Sequence, residues 1–413
     1  MTFVIEALGL TSGGGKAGMT QLVPALARHG EHRFVAILAD LTEFANLARP
    51  NVKLIVRRKP RSLVAREIHL QRTVPRICAA EGADALLCLG NFAPRPGAVP
   101  AVALLHNARY VSRDRAAESH LSIRERLVTW YGRRMLRHPP SGVRLVVQTE
   151  LMRRRLLEAY PHLRSSVVVI PDRDGLSPGL SLESSIGASV ERKHIEADHR
   201  ENGAVKPPFR FLCLANYYPH KNLEALVDAC RLLPTRAVRC LLTIDAAQHP
   251  RARRLLETIS TEELSGVVIN LGQLSGEQVA EAYRSAGAFI LPTLLESFGR
   301  TYREAMRFGL PILTSDRDFA RDACGDAAIY FDPLQPSSIA QRMAEIMEGR
   351  DLRERLSRAG LYRTAQAPSW DEIAARFIAV LEDAGTRRSE FGARCRRRAA
   401  SPALVRPLPW EKP

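Results

Sequence analysis

Short apolar runs that alternate with helix-like segments constrain this chain of 413 residues more than any other feature. The first half carries FVIEAL, FVAILA, LLCLG, VALLH and VVVIP, and most of these runs are followed by a segment with apolar residues at helical spacing. The alternation resumes after residue 208 with FRFLCLA, CLLTIDA, AFILP and PILTS. Strand followed by helix, repeated, predicts parallel sheets with helices on both faces. We therefore predict an α/β protein with two Rossmann-like halves.

The pattern fails between the two halves, where polar residues, glycine and proline replace the apolar runs. This break divides the chain into a domain at 1–174, a polar linker at 175–208 and a domain at 209–366. A terminal amphipathic helix is predicted at 367–384, and a basic, disordered tail at 385–413. Two such halves bind a ligand in the cleft outside the carboxyl ends of their strands.

The cysteines and the amino terminus bear on compartment. Seven cysteines are an odd number, and several stand in apolar runs such as LLCLG, so we expect reduced core cysteines. No CxxC pair or Cys/His cluster has zinc-ligand spacing, and no metal is implied. MTFVIEALGL lacks the basic start of a signal peptide, and no apolar stretch approaches the length of a membrane span. We predict a cytoplasmic location, with association at the cytoplasmic face of a membrane as a hypothesis.

The net charge of +16 is concentrated in two stretches. Residues 109–164 contain 13 arginines and no lysine against five acidic residues, and residues 385–413 contain eight basic residues against two acidic ones. Such an excess indicates an anionic partner: nucleic acid, an acidic membrane or phosphates. No aromatic-interleaved basic surface or known nucleic-acid module is present, which argues against nucleic acid.

The stretch FILPTLLESFGRTYREAM, from residue 289, carries the most specific chemistry. It predicts a strand, a short loop and a helix that begins near Phe298 or Gly299, whose free amides suit a phosphate. Glu296 at the mouth and Glu304 inside the helix would suit sugar hydroxyls. The alternative is structural: Glu296 favours the helix dipole, Ser297 caps the helix and Glu304 pairs with an arginine one turn away.

These carboxylates are followed by Gly309-Leu310-Pro311, Asp326-Ala327-Ala328 and Phe331-Asp332-Pro333. From about residue 211 to 381 the chain resembles the donor-binding half of retaining glycosyltransferases of family 4, which have the GT-B fold of two Rossmann-like domains facing across a cleft. The resemblance implies that Glu296 contacts the donor sugar and that Glu304 holds the ribose hydroxyls. It places the amides of Phe298 and Gly299 near the diphosphate, and it implies a terminal helix that packs back on the first domain.

The loop at 216–222 leads into a helix and contains Lys221, which could neutralise a diphosphate leaving group. The alternative is a solvated surface charge. The family usually has Gly-Arg ahead of this lysine, whereas this chain has Ala215-Asn216. Either Asn216 gives a neutral hydrogen bond, Arg300 supplies the missing cation, or donor binding is weak.

The first half resembles the family less closely. SGGGKAG at residues 12–18 is predicted to be a loop before a helix, and the resemblance places Gly14 and Gly15 near the donor phosphates; a flexible turn is the alternative. His106 stands where a strand ends and, by resemblance, touches the donor sugar. A purely structural histidine, with Asn107 as the polar contact, is the alternative.

The predicted site follows from these motifs. Its catalytic residues are Lys221, Glu296 and His106. Its donor-binding residues are Asn216, Ser297, Phe298, Gly299, Arg300, Glu304, Gly14 and Gly15. No cofactor or metal is implied, and the partners are a nucleotide-sugar donor and a glycan or lipid-linked acceptor.

The basic stretch contains a predicted helix with an apolar stripe flanked by arginines. The stripe is Ile123, Leu127, Tyr131 and Met135 with Val128 and Leu136; the arginines are Arg124, Arg126, Arg133, Arg134 and Arg137. Such a helix could rest on anionic lipid. The alternative is a core-facing helix with a solvated arginine face.

The predicted reaction is hexosyl transfer from a nucleoside-diphosphate sugar to an acceptor hydroxyl with retention of configuration, in cell-surface polysaccharide or glycolipid assembly. The resemblance implies front-face attack in which the donor phosphate takes the proton. A nucleotide-sugar epimerase of the same fold, an inactive family member and a nucleic-acid-binding protein are the alternatives.

Overall fold

The first strand, β1 (Thr2–Glu6), has four buried residues out of five. A strand that is buried on both faces is typical of a parallel sheet with helices on each side. The computed structural model describes residues 1–10, 13–39, 44, 47–60, 62–95, 99–119, 121–173, 207–234, 237–260 and 264–400, without the side chains of 13, 14, 17 and 387–400. The predicted linker at 175–208 lies almost wholly outside these residues.

The first domain is a seven-stranded parallel sheet in the order β3-β2-β1-β4-β5-β6-β7. Its other strands are β2 (Arg33–Leu38), β3 (Val52–Val56), β4 (Ala85–Cys88), β5 (Ala101–Leu104), β6 (Arg144–Val147) and β7 (Val167–Val169). Its helices are α1 (Gly13–Ala27), α2 (Leu63–Ile68), α3 (Val74–Ala80), α4 (Arg115–Ser119), α5 (Ile123–Arg137) and α6 (Glu150–Ala159), with a π-helical turn at His69–Thr73 and 3-10 turns at Ala108–Tyr110 and Pro161–Ser166.

The second domain is a six-stranded parallel sheet in the order β10-β9-β8-β11-β12-β13. Its strands are β8 (Phe209–Cys213), β9 (Val238–Leu242), β10 (Val268–Asn270), β11 (Ala288–Leu291), β12 (Ile312–Ser315) and β13 (Ala328–Phe331). Its helices are α7 (Leu223–Arg231), α8 (Pro250–Ile259), α9 (Gly276–Ser285), α10 (Arg300–Arg307), α11 (Asp318–Cys324), α12 (Pro336–Glu348) and α13 (Arg350–Ala365), with 3-10 turns at Pro219–Lys221 and Gly325–Ala327.

The two domains contact each other at several points. Leu294 and Leu295, which follow β11, are buried in the core of the first domain. Phe319 packs against α6, and Asp318 forms an ion pair with Arg155 of that helix. These contacts hold the carboxyl ends of the two sheets together across a cleft.

The last helix, α14 (Trp370–Ala400), returns to the first domain. Ile373, Phe377 and Leu381 are buried in the core that β1 and α1 also build. Asp371 accepts a hydrogen bond from the guanidinium of Arg28 at the end of α1, with an N···O distance of 2.6 Å.

This helix also corrects the predicted tail. The disordered tail was expected from Gly385, but α14 continues to Ala400. Alanine and arginine dominate its last turns, both favour helix, and Pro402 is the first proline in the segment. Residues 401–413 lie outside the described residues.

Six cysteines, at 78, 88, 213, 230, 240 and 324, are buried with free thiols. The basic helix α5 begins with a capping box between Ser122 and Glu125. Its predicted apolar stripe divides in the structure: Met135 and Leu136 are buried in the core, whereas Ile123 and Leu127 are exposed.

Candidate active site in the interdomain cleft

A cavity of about 240 Å³ lies between the carboxyl ends of the two sheets. The first domain lines it with residues that follow β1, β4, β5, β6 and β7, together with α1. The second domain contributes the loops after β8 and β11 and the start of α10, and α14 adds Trp370, Ile373 and Phe377. This is the place where open α/β sheets bind their ligands.

Backbone hydrogen bonds bring Lys221 to the cavity. The carbonyl oxygen of His220 accepts a hydrogen bond from the amide of Leu294 (2.7 Å) and another from the hydroxyl of Thr293 (3.2 Å). The 3-10 turn at Pro219–Lys221 is thereby joined to the loop after β11, which carries Glu296. Two loops that are far apart in sequence thus meet at one end of the cleft.

Lys221 and Glu296 form an ion pair at this junction, with Nζ donating to Oε1. Their side chains are 14% and 17% exposed, so the pair is largely removed from water. A hydrogen bond between two charged groups is stronger than a neutral one, and each group holds the other in place. The predicted catalytic lysine and carboxylate therefore lie in direct contact.

The helix α10 begins at Arg300, three residues later than Ser297. Gly299 is its N-cap, in the left-handed conformation with φ 72°, and no side chain caps the helix. A Cβ at Gly299 would lie 2.5 Å from Cδ2 of Tyr302, so only glycine fits here. The alternative role of Ser297 as the helix cap is therefore wrong, while Ser297, Phe298 and Gly299 all line the cavity.

Arg300 crosses the cleft from the first turn of α10. Its Nη2 donates to Oδ2 of Asp172, which follows β7 and also accepts a hydrogen bond from Gln148. Its Nη1 is buried and has no hydrogen-bond partner among the described residues. A Cβ at Gly18 would lie only 2.7 Å from Nη2, so this glycine leaves space for the guanidinium.

Two predicted donor-binding residues do not reach the cavity wall, as far as the structure describes it. Glu304 is buried on the second turn of α10, where its carboxylate accepts a hydrogen bond from the hydroxyl of Tyr283 at 3.0 Å. Asn216 lies in the loop after β8, and its Oδ1 accepts a hydrogen bond from Nε2 of Gln248 at 3.1 Å.

His106 lines the cavity from the end of β5. Burial, followed by the positive charges of Arg66 and Arg300, lowers its pKa to about 4, so the ring is neutral near pH 7. Its Nε2 lies 3.3 Å from Nδ2 of Asn91, whose Oδ1 accepts hydrogen bonds from the amides of His106 (3.0 Å) and Asn107 (3.1 Å). Asn91 thus fixes both the ring and the strand end that carries it.

The glycine run does not form a loop before α1. The helix begins at Gly13, so Gly14 and Gly15 lie in its first turn, and residues 11 and 12 are outside the described residues. Gly15 lines the cavity, and a Cβ there would lie 2.9 Å from Cδ2 of Leu10. The prediction of a separate loop is wrong because the chain enters the helix as soon as the run begins.

His220 connects the second domain to the first. Its Nδ1 lies 2.9 Å from Nη2 of Arg109, whose Nη1 is 3.2 Å from Oε1 of Glu125 on α5. Burial, followed by the charges of Lys221 and Arg109, holds the pKa of His220 well below its usual range. A neutral ring can accept the hydrogen bond from Arg109.

Several wall residues were not among the predicted site residues. Gln148 and Asp172 follow the ends of β6 and β7, a position that the strand pattern could have flagged. Gly18 belongs to the glycine run but contacts a residue of the other domain, which no local pattern shows. Trp370 and Phe377 reach the cavity only because α14 returns to the first domain.

Neither a metal-ligand cluster nor a membrane-spanning helix occurs among the described residues. No three histidine, cysteine, aspartate or glutamate side chains in this part of the chain are grouped as a metal site would require. Within the same ranges, every helix is too short or too polar to cross a membrane.

Two α/β domains that face each other across a polar cleft define the class of this fold, and solved structures show the same arrangement. The structure described as WaaG, a glycosyltransferase involved in lipopolysaccharide biosynthesis, matches 92% of this chain and 99% of its own at a TM-score of 0.68 and 13% identity. Anabaena HepE in complex with UDP-glucose matches 93% of this chain and 100% of its own at a TM-score of 0.67 and 16% identity. The fold is GT-B, as predicted.

Sequence comparison then gives the family. Residues 194–363 match the model of the family described as glycosyl transferases group 1. The O-antigen chain mannosyltransferase B of Escherichia coli is 26% identical over 168 residues, which are 40% of this chain and 44% of the relative. The D-inositol 3-phosphate glycosyltransferase of Thermomonospora curvata is 26% identical over 57% of this chain and 56% of its own length. The chain spans about half or less of these relatives.

Proposed function

We propose that this protein transfers a hexosyl group from a nucleoside-diphosphate sugar to a hydroxyl group of a glycan or lipid-linked acceptor. The transfer retains the anomeric configuration and serves cell-surface polysaccharide or glycolipid assembly, at the cytoplasmic face of a membrane. One observation carries the proposal: Lys221, Arg300 and the start of α10 converge on one cavity between the domains. A GT-B structure of similar fold that holds UDP-glucose supports the proposal, and so does a relative described as a mannosyltransferase.

The two cations of the site are each paired with a carboxylate, Lys221 with Glu296 and Arg300 with Asp172. A bound diphosphate would compete for both cations, because phosphate oxygens form charge-assisted hydrogen bonds with ammonium and guanidinium groups. The carboxylate of Glu296 would then be free to accept hydrogen bonds from the donor sugar. The free Nη1 of Arg300 would gain a phosphate oxygen, which satisfies a buried donor.

In the proposed reaction the acceptor oxygen forms a bond to the anomeric carbon while the bond from that carbon to the diphosphate oxygen breaks. The departing diphosphate takes the acceptor proton on the same face. Negative charge develops on the leaving group, so Lys221, Arg300 and the free amides of α10 stabilise the transition state. The remaining rate enhancement comes from holding the donor and the acceptor close together in the correct orientation.

Arg300 could replace the arginine that the family usually has in the loop after β8, where this chain has Ala215-Asn216. Asn216 is engaged by Gln248 and does not line the cavity, whereas the Arg300 guanidinium does. We infer that Arg300 supplies the second cation from the helix start instead of from the loop after β8. The electrostatic demand is the same, although the cation comes from another element.

Thermal unfolding of the full chain with UDP-, GDP- and ADP-sugars tests donor binding, because a ligand that binds only the folded state raises the melting temperature. We expect one nucleotide to give a clear shift. Proton NMR of the transfer product should show the anomeric configuration of the donor. A product formed without any acceptor would instead indicate an epimerase, and no shift with any nucleotide would contradict the proposal.

Glu304 gives a narrower test of the donor pocket. Glu304→Ala should raise the KM for the donor about tenfold, since a hydrogen bond to a charged group is worth roughly 1.5–3 kcal/mol. Glu345→Ala, a carboxylate on the surface of α12, is the matched control and should leave the KM unchanged. Equal effects of the two substitutions would remove Glu304 from the site.

A further inference from the structure

The helix α5 exposes a stripe of apolar side chains that the fold does not use. Ile123, Leu127 and Trp130 are 81%, 53% and 60% exposed, and their spacing places them on one side of the helix. The opposite side already packs into the core through Met135 and Leu136. Contiguous exposed apolar surface of this kind marks an interaction site in soluble domains.

The neighbouring helix α2 extends this surface. Val64 and Ile68, one turn apart, are 70% and 50% exposed, and no residue of α2 is fully buried. Glu67 of α2 accepts a hydrogen bond from the hydroxyl of Tyr131 on α5, which links the two helices. Tyr131 itself was predicted in the apolar stripe but is turned toward α2.

A second link holds the same two elements together. The amide of Arg95 donates to the side chain of Gln71, in the π-helical turn that follows α2, and its guanidinium donates to the carbonyl of Met135 at 3.3 Å. These links keep α2 and α5 near each other, and their exposed apolar residues are taken together as one candidate surface. We call it the docking face; it comprises Leu63, Val64, Ile68, Ile123, Leu127 and Trp130.

Positive charge surrounds the docking face. Arg124, Arg126, Arg134 and Arg137 are exposed along α5, and Arg57, Arg58 and Lys59 are exposed ahead of α2. The acidic groups nearby are engaged: Glu125 with Arg109, Glu118 with Arg133 and Glu67 with Tyr131. An apolar centre with a rim of one charge sign fits an anionic bilayer, in which tryptophan occupies the interface and arginine reaches the phosphates.

We propose that α2 and α5 together dock this protein on an anionic membrane, with the apolar residues of the docking face inserted among the acyl chains. The sequence indicated α5 alone. In the structure Trp130 belongs to the exposed stripe, whereas Tyr131 and Met135 do not, and α2 adds Leu63, Val64 and Ile68. Two inserted helices bury more apolar area than either one alone, and membrane binding scales with that area.

The docking face adjoins the cleft. Glu125, in the first turn of α5, binds Arg109, which binds His220, and the next residue is Lys221 on the cavity wall. If the proposed transferase function holds, a lipid-linked acceptor would reach the cavity along this side. Docking itself does not depend on that function, because it requires only the surface of the first domain.

Sedimentation of the full chain with vesicles tests docking. We expect binding to vesicles of phosphatidylcholine with phosphatidylglycerol, little binding to phosphatidylcholine alone, and weaker binding at high salt. Leu127→Ser with Trp130→Ser should lower the partition coefficient at least about tenfold, and Val64→Ser with Ile68→Ser should do the same. The second pair is decisive, since it leaves α5 and the basic carboxyl-terminal segment intact.

A matched control is available on the second domain, where Leu232 and Tyr362 are similarly exposed. Leu232→Ser with Tyr362→Ser should leave partitioning unchanged. Arg134→Gln with Arg137→Gln, which changes no apolar contact, should reduce binding to the anionic vesicles about 25-fold, at roughly fivefold per charge. Nucleotide-induced thermal shifts should stay equal in all variants, which separates docking from donor binding.

Three results would overturn the inference. The first is no binding to either vesicle. The second is full binding by the Val64→Ser, Ile68→Ser variant, which would place the contact elsewhere in the chain. The third is a self-association that the docking-face substitutions abolish without any vesicle binding, which would make the face a protein interface.

Discussion

The two walls of the cleft differ in chemistry. The second domain presents Lys221, Glu296, Arg300 and the backbone at the start of α10, whereas the first domain presents mostly apolar side chains with His106, Gln148 and Asp172 among them. Charge is thus gathered on one wall, and the other wall supplies shape and a single carboxylate partner. In the proposed reaction, leaving-group stabilisation would therefore reside in the second domain, and the first domain would complete the site.

The largest expected effect tests the charged wall. Lys221→Ala should lower kcat about 100- to 1000-fold, the loss typical of removing a preorganised group that stabilises transition-state charge. Steady-state transfer assays would measure it. Lys53→Ala, an exposed lysine of the first domain that pairs with Glu81, is the control and should be silent. A loss of less than about threefold in kcat would break the assignment of charge stabilisation to this wall.

The next effect concerns the apolar wall and is a dependence of stability on pH. The folded-state pKa of His106 is about 4 and its ordinary value is 6.5, so between these values the unfolded chain binds a proton that the folded chain does not. His106 therefore costs stability as the pH falls through this window, by up to about 3 kcal/mol, and costs none above it.

Chemical unfolding near pH 7 and near pH 5 measures this effect. His106→Gln should lose less stability on acidification than the native chain does. His138→Gln, at an exposed histidine, should behave as the native chain. If His106→Gln and the native chain lose the same stability on acidification, the His106 ring is not the neutral group described above.

The ion pair of Arg300 with Asp172, which links the two walls, gives the third prediction. Arg300→Ala should weaken donor binding about 10- to 100-fold, because it removes charge-assisted hydrogen bonds to the diphosphate. Asp172→Asn should act in the opposite direction and tighten binding a few-fold, since it no longer competes for the guanidinium. Titration calorimetry with the donor nucleotide would measure both.

Arg321→Ala provides the control for this pair, because Arg321 forms a similar but exposed pair with Asp316 at 2.6 Å. It should leave the affinity unchanged. If Asp172→Asn weakens binding as much as Arg300→Ala does, the pair is a structural contact and not a competitor of the donor.

The smallest effect concerns the space between the walls. A Cβ at Gly18 would displace the Arg300 guanidinium, so Gly18→Ala should weaken donor binding about fivefold. Alanine is also the better helix former, so the substitution should not lower the melting temperature. Gly30→Ala, where a Cβ meets nothing within 4 Å, is the control for affinity. If Gly18→Ala binds the donor as tightly as the native chain, the Arg300 guanidinium can move aside without any loss of donor affinity.

Particular residues show how far sequence reasoning reached. Lys221, Glu296 and the glycine at the start of α10 were predicted, because each lies just past the end of a buried strand, where parallel sheets place ligands. Glu304 and Asn216 were also predicted to bind the donor, and whether they do stays a prediction; neither lies on the described cavity wall. Asp172 and Gly18 were missed, because their role depends on a residue of the other domain.

The sequence by itself determined the two α/β domains, the break between them and the loops that bear chemistry, since strand and helix periods and turn residues are local properties. Only the tertiary structure decided which charges pair, where α10 begins, that α14 lines the cavity, and that Tyr131 of α5 is bonded to Glu67 of α2. Those facts depend on distances between residues that can be 343 positions apart in the chain, such as Arg28 and the carboxylate of Asp371 at 2.6 Å. Contacts of that kind form only when the whole chain is packed, so no local pattern encodes them.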